Sequence, residues 1–209
     1  MTPAPNRGPA AAAGNRAALI ESARRLFFRE GYEVPLSAVA KDAGVGQGTL
    51  YRHFPSREAL AEAVVASTMD TLVEMTEELQ GPEAFGVLWR HVVDSLVESV
   101  GFLDAVLGPR GELAGRQPEQ ELATLLTEPF ARAQEAGLLS RGLTLDDALL
   151  TLAMVHGAAH RAGDRRTRQE LAYRALALVG GGLELTQGLS ADRSSTPRPE
   201  PGGAPGSSR

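Results

Sequence analysis

The chain has 209 residues, 43% of them hydrophobic, which is enough for one small domain and a larger one with true apolar cores. It has no cysteine, which excludes disulfides and thiolate metal sites, and no apolar run of about 18 residues, which excludes a membrane-spanning helix. The formal net charge of −5 is unevenly spread: residues 1–60 carry a net +3 and the remainder −8, so a basic head sits on an acidic body.

Residues 1–14 are rich in Pro, Gly and Ala and lack the apolar segment of a secretory signal. They are expected to form a disordered arm, and a cytoplasmic location is the default. The first helix is expected from Asn15, a plausible cap, to Glu30. Its buried stripe is Leu19, Ile20, Ala23, Leu26 and Phe27, and Gly31 ends it.

Residues 34–60, VPLSAVAKDAGVGQGTLYRHFPSREAL, carry the most information. Leu36, Val39, Ala40 and Ala43 recur at i, i+3, i+4 and i+7, which predicts a short helix over 36–43. Gly44 then permits a left-handed helix end, and Val45 can plug the angle between two helices. A second helix runs from about Gln47 to Phe54. Leu50 and Phe54 face inward on it, leaving Gln47, Thr49, Arg52 and His53 outside. Pro55 stops this helix and Ser56 caps the next. Two short helices around a tight turn, the second with a polar outer face, form a helix-turn-helix.

The outer face suits DNA better than it suits a plain solvated bundle helix. Gln47 can pair bidentately with adenine, Thr49 offers a hydroxyl and a methyl for thymine, and Gly48 lets backbone approach closely. Tyr51 and His53 can each donate to a phosphate oxygen, and Arg57 can add charge to the same strand. Arg52 faces the groove and can serve either purpose. The helix beginning after Pro35 can meet a phosphate with its first amides.

A long helix follows, from Ser56 to about Leu79. Gly81-Pro82-Glu83 starts another, whose apolar pattern continues past Gly101 to Leu107. Residues 108–117 read as a loop, Pro118 opens a helix ended by Gly137, and two capped helices close the body. Thr144 with Asp147 opens the helix 145–161, and Thr167 with Glu170 opens 168–185. Both carry apolar residues on more than one side (Leu149, Leu152 and Val155; Leu171, Leu176, Leu178 and Val179), which predicts a dimer interface. The tail, residues 189–209, is rich in Pro, Ser and Gly and is expected to be disordered. The expected fold is therefore all-α, with about nine helices. It divides into a helix-turn-helix head over residues 15–58 and a regulatory and dimerisation body over 59–188.

The order of residues also resembles the tetracycline-repressor (TetR) family of bacterial transcription regulators. The resemblance rests on Leu26-Phe27, Gly31-Tyr32, Val39-Ala40, Ala43-Gly44-Val45, Gly48-Thr49-Leu50-Tyr51, His53-Phe54 and Ser56-Arg57-Glu58 with Leu60. Pro35 departs from it, standing where the family usually has Thr, and Arg57 replaces its usual Lys. The resemblance implies base reading by Gln47, Gly48 and Thr49, and phosphate binding by Tyr51, His53 and Arg57. It further implies a homodimer on double-stranded operator DNA, with reading helices about one DNA turn, roughly 34 Å, apart. Release by a small apolar inducer is implied as well, most simply from a repressor. The inward faces of a family-like body would supply Leu72, Met75, Phe85, Trp89, Phe102, Leu126 and Phe130 to an inducer site, with His156 or His160 orienting the ligand.

His156 and His160 are four apart and share a helix face, a spacing that can bind zinc, but no Glu follows His156 and no Cys is available, so neither a metal nor a cofactor is expected. No Gly-x-Ser-x-Gly, phosphate-binding Gly-Lys-Ser/Thr or His-Glu-x-x-His occurs, and an enzyme is not expected. Two rivals remain: a constitutive DNA-binding protein with a solid body, and a ligand-binding protein or enzyme with a vestigial head.

Overall fold

A computed structural model describes residues 7–107, 117–161 and 163–180. These form eight helices and no strand: α1 (Arg7–Glu30), α2 (Leu36–Asp42), α3 (Gln47–His53), α4 (Arg57–Glu78), α5 (Ala84–Val106), α6 (Pro118–Glu135), α7 (Leu145–His160) and α8 (Arg165–Gly180). The all-helical expectation holds, with eight helices among the described residues rather than about nine. The expected tail lies outside those residues, as do positions 108–116 of the expected loop and 181–185 of the expected last helix.

The helix ends follow local chemistry. Gly44 has φ +69°, a left-handed value that a side chain strains, and the chain turns there with the Val45 amide on the Ala40 carbonyl at 2.9 Å. The Ser56 hydroxyl accepts from the Ala59 amide at 3.2 Å and starts α4. At α7, Thr144 and Asp147 form the expected reciprocal box. The Asp147 amide donates to Thr144 Oγ1 at 3.1 Å, and the Thr144 amide donates to Asp147 Oδ2 at 2.9 Å.

Three boundaries correct the sequence reading. Helix α1 begins at Arg7 rather than near Asn15, so residues 7–14 of the expected disordered arm are helical. Ala11, Ala12 and Ala13 have the highest helix propensity, and Pro9 falls in the first turn, where no amide is needed. Helix α5 begins at Ala84, because Pro82 sits in a turn closed by the Ala84 amide on the Gly81 carbonyl at 3.1 Å. Helix α8 begins at Arg165, and its cap is Asp164 rather than Thr167 with Glu170. Asp164 Oδ1 accepts from the Thr167 amide at 3.1 Å and Oδ2 from the Thr167 hydroxyl at 2.7 Å. A carboxylate on a helix N-terminus outcompetes a hydroxyl set three residues further in.

Apolar side chains segregate into two clusters. The head cluster gathers Leu19, Ala23, Phe27, Val39, Leu50, Phe54 and Leu60 from α1 to α4. The body cluster gathers Leu72, Leu88, Val93, Leu126, Leu152 and Val155, among others, from α4 to α8. One body-helix residue belongs to the head: Phe102, near the end of α5, is 2% exposed. Its ring stacks on Phe27 with centroids 5.3 Å apart and planes at 12°, and it meets Phe28 at 5.4 Å and Tyr32 at 6.2 Å. Helix α5 thus runs from the body core into the back of the head.

A polar tie fastens α1 to α2. The buried Ser22 hydroxyl lies 2.6 Å from Asp42 Oδ2 and 3.1 Å from the Val39 carbonyl, and Arg25 Nη2 donates to the same Asp42 oxygen at 2.6 Å. The Ser22 hydroxyl, and then Arg25, hold the Asp42 carboxyl below its ordinary pKa. A depressed folded-state value means that this stabilisation is present at neutral pH and is lost as pH falls below about 4 through the folded value. Ser22→Ala and Asp42→Asn should therefore each lower the melting temperature at pH 7. For Asp42→Asn the deficit should shrink on acidification, as read by thermal melts from pH 7 to 3.

Candidate nucleic-acid interface and ligand cavity

Helix α3 is two turns long and is fixed by one side. Leu50 and Phe54 insert into the head core at 1% and 3% exposure, and the Arg16 guanidinium covers the Phe54 ring at 5.3 Å. What remains outside is the polar face expected from sequence. Gln47, Gly48, Tyr51 and Arg52 are exposed, while Thr49 and His53 are half-buried. Arg52 folds back along this face, with Nη2 donating to Thr49 Oγ1 at 3.0 Å and Nε to the Gly48 carbonyl at 3.3 Å. In the free protein the Arg52 charge is therefore laid across the first turn of α3.

Arg57 is placed differently from the other candidates. It opens α4, is half-buried, and its Nη1 donates to the carbonyls of Tyr32 and of Val34, the latter at 2.7 Å. Its guanidinium also lies 5.4 Å from the Tyr32 ring centroid. Arg57 thus fastens the loop between α1 and α2, a duty that sequence reasoning missed because the partners are backbone carbonyls more than twenty residues away.

A cavity of about 340 Å³ opens between α4, α5, α6 and α7. Of the residues expected at an inducer site, it takes Leu72, Phe102 and His156. It does not take Met75, Phe85, Trp89, Leu126, Phe130 or His160. Phe85, Trp89 and Phe130 instead form a buried aromatic plug, Phe85 stacking on Trp89 at 5.7 Å and meeting Phe130 edge-on at 5.1 Å. Flat rings that pack on one another leave no room between them, so the cavity lies further along α5, towards the head. There Met69, Ser95, Ser99, Leu122, Leu149 and Leu152 line it. Ser95 and Ser99, four apart on a face of α5 that is otherwise apolar (Val92, Leu96, Phe102 and Leu103), were the available signal. At the head end the wall is Phe28, Val65, Phe102 and Leu103, side chains that also belong to or pack on the head cluster.

The two histidines share an acid. Asp104 Oδ1 lies 3.1 Å from His156 Nε2, and Oδ2 lies 2.6 Å from His160 Nδ1. His156 reaches the cavity wall from this cluster, whereas His160 stays outside and exposed. Helix α7 also carries an apolar stripe away from its own body. Leu150 and Met154 are 59% and 49% exposed, and Ala153 and Gly157 continue the same i, i+3, i+4, i+7 line. On α8, Leu178 is 76% exposed. The residues first suggested by sequence, Leu149, Leu152, Val155 and Leu176, are buried within the chain's own body.

This fold and this head define a helix-turn-helix regulator, and similarity to known proteins agrees. Residues 19–64 match the model described as bacterial regulatory proteins, tetR family. A TetR transcriptional regulator structure from Streptomyces coelicolor is 34% identical, covering 80% of this chain and 97% of that one, with a TM-score of 0.61. The TetR transcription regulatory protein of Mycobacterium vanbaalenii is 31% identical over 84% and 98% of the two chains, with a TM-score of 0.65. The transcriptional regulator UidR of Escherichia coli is 31% identical over 87 residues, which span 41% of this chain and 40% of UidR. The chain belongs to the TetR family of transcriptional regulators. Among the described residues no helix is long and apolar enough to cross a membrane.

Because Arg57 holds two loop carbonyls, Arg57→Ala should cost about 1–3 kcal/mol of stability in denaturant unfolding without DNA. Unchanged stability would leave Arg57 with a surface role only.

Proposed function

We propose that the protein is a homodimeric DNA-binding transcription regulator of the cytoplasm, a repressor released from its operator by a small apolar ligand. The observation that carries the ligand part is the cavity. A constitutive DNA-binding protein would have a filled body, whereas about 340 Å³ lined mainly by apolar side chains falls in the range of small-molecule sites. The DNA part rests on the exposed polar face of α3. Gln47, Gly48 and Thr49 are assigned to base edges, and Tyr51 and His53 to phosphates. Arg52 is assigned to either after swinging off Thr49, and Arg57 to the phosphate side through the part of its guanidinium not bound to the loop.

Dimerisation is supported by the α7 stripe, which no described element of the chain covers. Leu150, Ala153, Met154 and Gly157 make an exposed line of apolar and small residues on α7, and Leu178 of α8 is exposed as well. Two such faces pack with two-fold symmetry and set the two α3 helices on one side of DNA, about one helical turn apart. Domain limits of 15–58 and 59–188 serve this reading as a division of labour, although α5 crosses the line at Phe102.

Selection of bound sequences from random DNA tests the assignment. Gln47→Ala should relax preference at one base step, costing roughly 1–3 kcal/mol there, and Tyr51→Phe should weaken all sequences alike. An unchanged selected sequence with Gln47→Ala would remove the base-reading role. Leu150→Glu should give a monomer in sedimentation equilibrium at micromolar concentration and lose high-affinity DNA binding. A dimer that survives both this change and Met154→Glu would place the interface elsewhere.

A further inference from the structure

A second concave space, of about 480 Å³, opens on the head between α2 and the start of α3. Ser37 and Lys41 of α2 and Gln47 of α3 supply its polar side chains, and Pro35, Ala38 and Val45 are among its apolar ones. Ser37 and Lys41 are four apart, so they share one face of α2, and both are exposed. Among the described residues the Ser37 hydroxyl makes no hydrogen bond and the Lys41 ammonium no ion pair. The acid next in sequence, Asp42, is held instead by Ser22 and Arg25 of α1, each at 2.6 Å. Pro35 brings no amide and no side-chain donor to this space, so the side-chain donors of α2 there are Ser37 and Lys41.

Gln47 belongs both to this groove and to the face of α3 assigned to base edges. In a helix-turn-helix the second helix enters the major groove by its N-terminal residues, while the first crosses the sugar-phosphate backbone. A phosphate bordering the bases that Gln47 reads would therefore come to the space beside it. There it would meet an unpaired ammonium on a flexible stem, which needs no fixed approach geometry, and a hydroxyl free to donate. We propose that Lys41 and Ser37 hold one backbone phosphate of each half-site in this groove, and so fix where Gln47 stands along the base edges. This rests on the proposed assignment of α3 to DNA and adds two residues of α2 to that surface. Phosphates carry no sequence information, so the contact sets register and affinity rather than base preference.

The test uses the full-length protein and DNA selected from random sequence, with thermal melts confirming that each variant folds. Lys41→Ala should weaken binding by about three- to tenfold at low salt on every sequence alike, and lower the steepness of the salt dependence by about one. The selected sequence should not change. Ser37→Ala should weaken binding by roughly a few-fold with the salt dependence unaltered, since it removes a donor and no charge. In ethylation interference, one phosphate per half-site should matter to the native protein and cease to matter in Lys41→Ala. Lys41 is the single lysine of the chain, so mass spectrometry can follow its acetylation alone, which bound DNA should slow. Native affinity and salt dependence in Lys41→Ala, while Gln47→Ala still relaxes preference, would overturn the proposal. Weaker binding with an unchanged ethylation pattern would make Lys41 a distant charge and overturn it too. If Gln47→Ala also changes nothing, the assignment of α3 to DNA falls with it.

Discussion

The stacking of Phe102 on Phe27 is the contact on which the arrangement depends. A helix-turn-helix of two seven-residue helices cannot hold itself in place, since isolated helices of that length are unstable in water. Helix α1 backs the pair, and α5 in turn backs α1 by driving one aromatic ring into the head core among Phe27, Phe28 and Tyr32. The position of the reading helix is thereby referred to α5, a body helix, rather than to the head alone. The same ring is part of the head-end wall of the cavity, so under the proposed function a ligand there would touch a residue of the head core.

The remaining polar contacts fix the head as a rigid piece. Ser22, Asp42 and Arg25 tie α1 to α2, and Arg57 ties α4 to the loop that precedes α2. Under the proposed function, a ligand in the cavity would shift α5, and the close-packed head would follow as a unit. The aromatic plug of Phe85, Trp89 and Phe130 packs the far end of α5, so under the same proposal the adjustment would fall near Ser95, Ser99 and Phe102.

Much of the head was legible in the sequence because its constraints are local. Helical periodicity, Gly44, Pro55 and the Ser56 cap each act within a few residues, and all appear as expected. The exposed face of α3 could be read because only Leu50 and Phe54 had to point inward. The body was less legible. Periodicity gives the inward face of a helix but not which inward residues touch one another and which line a void, so it does not separate Phe85, Trp89 and Phe130, which pack together, from Phe102, which lines the cavity. For α7 the two-sided apolar pattern is visible in the sequence, but not which residues face which way: Leu149, Leu152 and Val155 satisfy the body, while Leu150 and Met154 are exposed. Residues 7–14 were misread because Pro and Gly were weighted above the alanines between them.

The most direct measurement is of coupling: the affinity for the selected DNA with and without saturating 1-octanol, used as a small apolar probe of the cavity, in the native protein and in Phe102→Leu. The leucine keeps the site apolar but removes the ring that stacks on Phe27. If cavity and head communicate through this ring, octanol should weaken DNA binding by about tenfold or more in the native protein and by only a few-fold in the variant, though the variant still binds octanol. Equal weakening in both proteins would show that the signal reaches α3 by another route.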